Sequence, residues 1–69
     1  MEKLSDKAMC NYLQSTGHSH LNPAAVYQEI HEARYGKPEY LAVYLKAPWG
    51  AETIGILSAA AVLKCNQES

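Results

Sequence analysis

Apolar residues recur at the start of the chain with the spacing of one helix face. Leu4, Ala8, Met9, Tyr12 and Leu13 fall on one side, and Asp6, Lys7, Asn11 and Gln14 on the other. This pattern predicts a helix from Leu4 to Gln14. Ser15-Thr16-Gly17 ends it, with Gly17 free to take the left-handed backbone that closes a helix.

The next segment, Asn22 to Tyr35, reads as a helix with both ends marked. Asn22 suits the N-cap, where its side chain accepts from first-turn amides. Pro23 follows at the first helical position, where a missing N–H costs nothing. Leu21 and Val26 form the apolar pair that often brackets such a start. Gly36 suits the C-terminal cap and Pro38 blocks continuation. On this helix Val26, Ile30 and Ala33 face inward. Tyr27, His31 and Arg34 follow along an adjacent outward strip, with Tyr35 at its end.

From Pro38 to Ala47 nearly every residue is apolar, and two readings compete. A buried helix could start at Pro38 and Glu39. A strand over Tyr40–Leu45 suits the Tyr and Val content equally well. The Pro-Glu start and the lack of an obvious second strand favour the helix. The last segment, Ala51 to Lys64, reads as a helix with Glu52 in its first turn and Lys64 in its last. Ala51, Gly55 and Ala59 recur every four residues as a strip that would let another backbone approach. Ile54, Leu57 and Ala61 make one apolar face, and Ile56, Ala60 and Leu63 a second. A helix apolar nearly all round is buried, so one of these faces is expected to pack on another chain.

The predicted architecture is therefore all-α: three to four short helices around a small core completed by dimerisation. An α+β fold with Tyr40–Leu45 as a strand is the alternative. Composition fits one small domain. The 69 residues include seven Leu, three Ile and three Val but no Phe, so bulk comes from five Tyr and Trp49. A chain of this length buries only about 60% of the surface its unfolded form exposes.

Charge narrows the partners. Six Lys plus Arg stand against seven Asp plus Glu, scattered and giving a net charge of −1. Nucleic-acid affinity rests on a basic stripe, which is missing, so nucleic acid is not an expected partner. A helix–turn–helix-like DNA-binding protein, formed by the first two predicted helices, is kept as the alternative function. Charges among Met1–Lys7 do not suit a signal peptide, and the uncharged run Thr53–Leu63 is about half a membrane span. A cytoplasmic location is expected.

Candidate chemistry is sparse. His18 and His20 flank Ser19, with His31, Cys10 and Cys65 elsewhere. Structural zinc sites pair ligands at both ends of a loop, so no metal or other cofactor is expected here. The two cysteines are expected as free thiols. Glu29 and Glu32 are the one close acidic pair, at a spacing common on solvated helix faces, and no phosphate-binding Gly-rich loop occurs. Catalysis is not expected. Tyr and Arg are enriched at interface hot spots, which singles out Tyr27, His31, Arg34 and Tyr35. Trp49, in the Pro48-Trp49-Gly50 connection, is either a lid on the core or an anchor. The expected function is that of a small regulator, adaptor or inhibitor that binds another protein by occupancy.

Overall fold

The computed structural model describes residues 1–69. Helix α1 spans Asp6–Ser15. Ser5 starts it, its Oγ accepting from the Ala8 amide at 3.1 Å. Gly17 ends it with φ +80°. The Gly17 N–H donates to the Gln14 carbonyl at 3.4 Å and the His18 N–H to the Leu13 carbonyl at 2.7 Å. These two bonds satisfy carbonyls that a helix end leaves orphaned. Here the apolar spacing and the glycine stop predict the element correctly.

The second segment is not the predicted helix. Asn22 does cap, its Oδ1 accepting from the Ala24 amide at 3.0 Å, and Pro23 does follow. What they open is a single 3-10 turn, Pro23–Ala25, after which strand β1 runs Val26–His31. Val26 and Ile30 lie four residues apart, and that separation shares a face in a helix and in a strand alike. In β1 the inward residues are Val26, Gln28 and Ile30, while Tyr27, Glu29 and His31 alternate outward. Ala33, expected to face inward, lies beyond the strand and is exposed. Gly36, with φ +66°, serves the tight turn Arg34–Lys37 instead of capping a helix.

The third segment takes its strand reading, β2, Tyr40–Ala47. The fourth divides into strand β3, Gly50–Ser58, and helix α2, Ala59–Glu68. The division follows local chemistry. Thr53, Ile54 and Ile56 are β-branched and favour a pleated sheet, whereas Ala59-Ala60-Ala61 is the strongest helix-forming run in the chain. Ser58 marks the boundary, its Oγ accepting from the Ala61 amide at 3.2 Å. Ala51, Gly55 and Ala59 therefore do not form a strip on one helix.

The strands make one antiparallel meander in the order β1-β2-β3. Pro48 and Trp49 form the turn between β2 and β3, with Gly50 at φ +120° just after it. Pairing slips by one residue after Val43, leaving Ile54 unpaired. Both helices lie on one side of the sheet. Leu4, Ala8, Met9, Leu13 and Val62 close on Leu41, Val43 and Leu57, and no polar or charged residue is buried. Two carboxamides fasten the edges. Gln28 accepts from the Leu4 amide at 2.8 Å and donates to the Leu4 carbonyl at 3.1 Å. Asn66 of α2 accepts from the Ser5 amide at 2.9 Å and donates to the Lys3 carbonyl at 3.0 Å.

The fold is thus α+β with two helices, and the all-α expectation is overturned. Its stated alternative, with Tyr40–Leu45 in a strand, is the arrangement that forms. No helix–turn–helix is present, because α1 is followed by β1. Neither helix is long and apolar enough to cross a membrane.

Candidate partner-binding face

A three-stranded sheet covered by helices on one side presents its other side to solvent. Alternation along β1 places Tyr27, Glu29 and His31 there, and alternation along β2 adds Tyr40, Ala42 and Tyr44. Ile56 of β3 completes the centre, directly opposite Ala42. Register sets the side-chain pairs. Tyr27 faces Tyr44 across the strands and His31 faces Tyr40.

Both pairs are in ring contact. Tyr27 and Tyr44 have centroids 5.2 Å apart with planes tilted by 34°. His31 and Tyr40 are stacked at 4.6 Å and 7°. Such pairs contribute roughly 0.5–1.5 kcal/mol beyond their buried area. A hydrogen bond ties the two pairs together, between His31 Nε2 and the Tyr44 hydroxyl at 3.0 Å. A neutral imidazole protonated on Nδ1 accepts it from the phenol; an imidazolium donates it.

The packed rings shade the backbone. Ala42, with Tyr40 and Tyr44 on either side in its own strand, is only 1% exposed although it sits on the solvent side. Tyr44 itself has its phenol pKa raised above the ordinary 10.0. Loss of hydration is the main cause, followed by the nearby negative charge of Glu29 and then the Tyr40 and Tyr27 phenols. The Tyr44 hydroxyl therefore stays protonated throughout the neutral range and keeps its capacity to donate. Ile56 remains 65% exposed.

The residues singled out from sequence are only partly brought together. Tyr27 and His31 share this face. Arg34 and Tyr35 lie past the end of β1, in the connection to β2, and the Tyr35 side chain stands wholly in solvent. Trp49 sits at the opposite end of β2, in the hairpin turn, and is 76% exposed, so it is not a lid on the core. Ala51 and Gly55 belong to β3 and Ala59 to α2. Tyr40 and Tyr44 were absent from the sequence-based set, because a buried-helix reading of that segment gives them no common exposed side. Their alternation with Leu41, Val43 and Leu45 is the signal that points to them.

Elsewhere the titratable groups are dispersed. His18 Nδ1 bonds the Thr16 hydroxyl at 2.9 Å beside the end of α1. Cys10 is an exposed free thiol and Cys65 a half-buried one. No three Cys, His, Asp or Glu side chains gather into a set that could hold a metal ion. No protein-family model matches the chain, and comparison with curated proteins and with solved structures finds no match.

Proposed function

We propose that this protein is a small non-catalytic binding module whose uncovered sheet face docks on another protein and acts by occupancy, as a regulator, adaptor or inhibitor. The observation behind this reading is the ring-paired, hydrogen-bonded set Tyr27, Tyr40, Tyr44 and His31, with Tyr27 exposed and the others half-buried on the side of the sheet that no helix covers. Tyrosines give broad contact area with little rotamer entropy to lose, and they are over-represented among residues that dominate binding energy. Ile56 adds an apolar centre and Glu29 a single charge. Two free thiols suit a reducing compartment such as the cytoplasm.

The test uses the full chain as bait for its native host's proteins, alongside a Tyr27→Ala/Tyr40→Ala variant. A stoichiometric partner is then purified and titrated against both. Loss of at least about tenfold in affinity in the variant, with a cooperative thermal transition still above the assay temperature, is the expected result. Equal affinity of both forms, or a strictly monomeric chain that recovers no stoichiometric partner, would sink the proposal. Self-association lost in the same variant would replace the foreign partner with a second copy.

A further inference from the structure

Beyond the tyrosines, the sheet face runs into the turn that joins β1 to β2. The Arg34 N–H donates to the Lys37 carbonyl at 3.0 Å, and the Lys37 N–H returns a bond to the Arg34 carbonyl at 2.7 Å. The two residues form an isolated antiparallel bridge, with Gly36 at φ +66° making the reversal. Residues directly opposed in such a bridge send their side chains to the same side, with Cβ atoms about 5 Å apart. The stems of an Arg and a Lys thus leave the backbone side by side, and like charges placed so repel. Neither cation is ion-paired, since the one ion pair in the structure joins the Met1 amino group to Glu39, although Glu32 lies near them.

Arg34 and Lys37 line a cleft of about 170 Å³ with His31, Glu32, Pro38 and Tyr40. Three of these six residues can carry positive charge and one carries negative. The stacked rings of His31 and Tyr40 adjoin the cations. We propose that this cleft is an oxyanion-binding site, which receives a carboxylate or phosphoryl group on an acidic segment of the partner protein. Arg34 offers a forked donor set that matches either group, Lys37 adds a point charge, and the rings exclude water from one side. The inference rests on the partner-binding reading for its occupant, though not for the site.

The experiment is an amide NMR titration of the full chain with inorganic phosphate, with chloride at equal ionic strength as control. Saturable shifts centred on His31, Arg34 and Lys37, lost in Arg34→Gln/Lys37→Gln, are expected. Shifts that chloride reproduces, or that survive in the double variant, overturn the site. A capped triglutamate peptide and a short oligothymidylate then compete with phosphate. Displacement by the peptide at lower concentration supports a protein occupant. Displacement by the oligonucleotide at about tenfold lower concentration than the peptide overturns that occupant in favour of a nucleic-acid backbone. Tyr27 and Ile56 do not line the cleft, so phosphate binding that persists in Tyr27→Ala/Ile56→Ser separates this site from the tyrosine face.

Discussion

Gly55 is the one glycine of a strand interior, and the reason is Tyr12. The Tyr12 ring crosses from α1 over β3 so closely that a Cβ on Gly55 would lie 2.9 Å from Cζ and closer still to the hydroxyl. Gly55→Ala must displace the ring, and overpacking of this kind costs about 1–3 kcal/mol. In a Tyr12→Ala background the same change should cost nothing further, which a double-mutant cycle by urea denaturation checks directly. Ala51, Gly55 and Ala59 are regularly spaced in the sequence, but at Gly55 the small size answers to Tyr12 of α1. Tyr44 supplies a second residue-level prediction. Its phenol pKa is raised in the folded chain by lost hydration and then by Glu29. The unfolded chain therefore releases this proton first as pH rises, so the fold is fully favoured below pH 10 and weakens above it. Glu29→Gln should bring the phenol partway back towards 10.0, read as an earlier onset of tyrosinate absorbance. No movement in that variant would remove Glu29 from the account.

At the scale of elements, β2 holds the fold together. It pairs on both edges, and Leu41, Ala42 and Val43 are all buried. Leu41→Ala removes a side chain of zero exposure and should cost about 2–5 kcal/mol. A 69-residue chain has on the order of 3–10 kcal/mol in total, so this variant should unfold with a sharply lowered urea midpoint. Ile56→Ser, on the uncovered side, should stay within about 0.5 kcal/mol of the parent. Equal losses in the two variants would contradict the one-sided packing. The same strand explains what the sequence could and could not convey. Helix α1 was legible because its apolar positions include threes as well as fours, which a strand cannot satisfy. Val26 and Ile30 differ by four, which either period accepts, and the Asn22-Pro23 start is as good for one 3-10 turn as for a long helix. Tyr27 and His31 also differ by four, so they were placed on a common face although the element was misread. Arg34, seven residues from Tyr27, is expected on the same strip but lies beyond the end of β1, and an odd separation changes sides in a strand in any case. A central strand, apolar on both faces, shows its nature only through the neighbours that pair with it, and the spacing of both neighbours also fits a helix.

The whole molecule measures 35 × 31 × 16 Å. Sixteen ångströms accommodates one sheet and one layer of helices, packed about 10 Å apart. Of the exposed large apolar side chains, Leu63 stands on α2 and Tyr35 and Trp49 in the two turns, while Tyr27 and Ile56 give the uncovered sheet face its apolar character. It is tempered by Glu29, His31 and three phenol hydroxyls, which keep that face wettable when nothing is bound.

The carboxamide of Asn66 has one more consequence, for how the molecule is made. It bonds residues 3 and 5, more than sixty positions earlier, and Val62 in the same helix is wholly buried against the sheet. A nascent chain halted at Ser58 has all three strands but lacks half of the layer that covers them. During translation the meander must wait, unroofed, until α2 has cleared the ribosome exit tunnel. Asn66→Ala, which unfastens that late contact, should speed loss of the fold and leave its rate of formation nearly unchanged. Stopped-flow refolding and unfolding of the variant would check this, and a slowed refolding rate would mean that the contact which secures the earlier four-fifths of the chain forms before the last step.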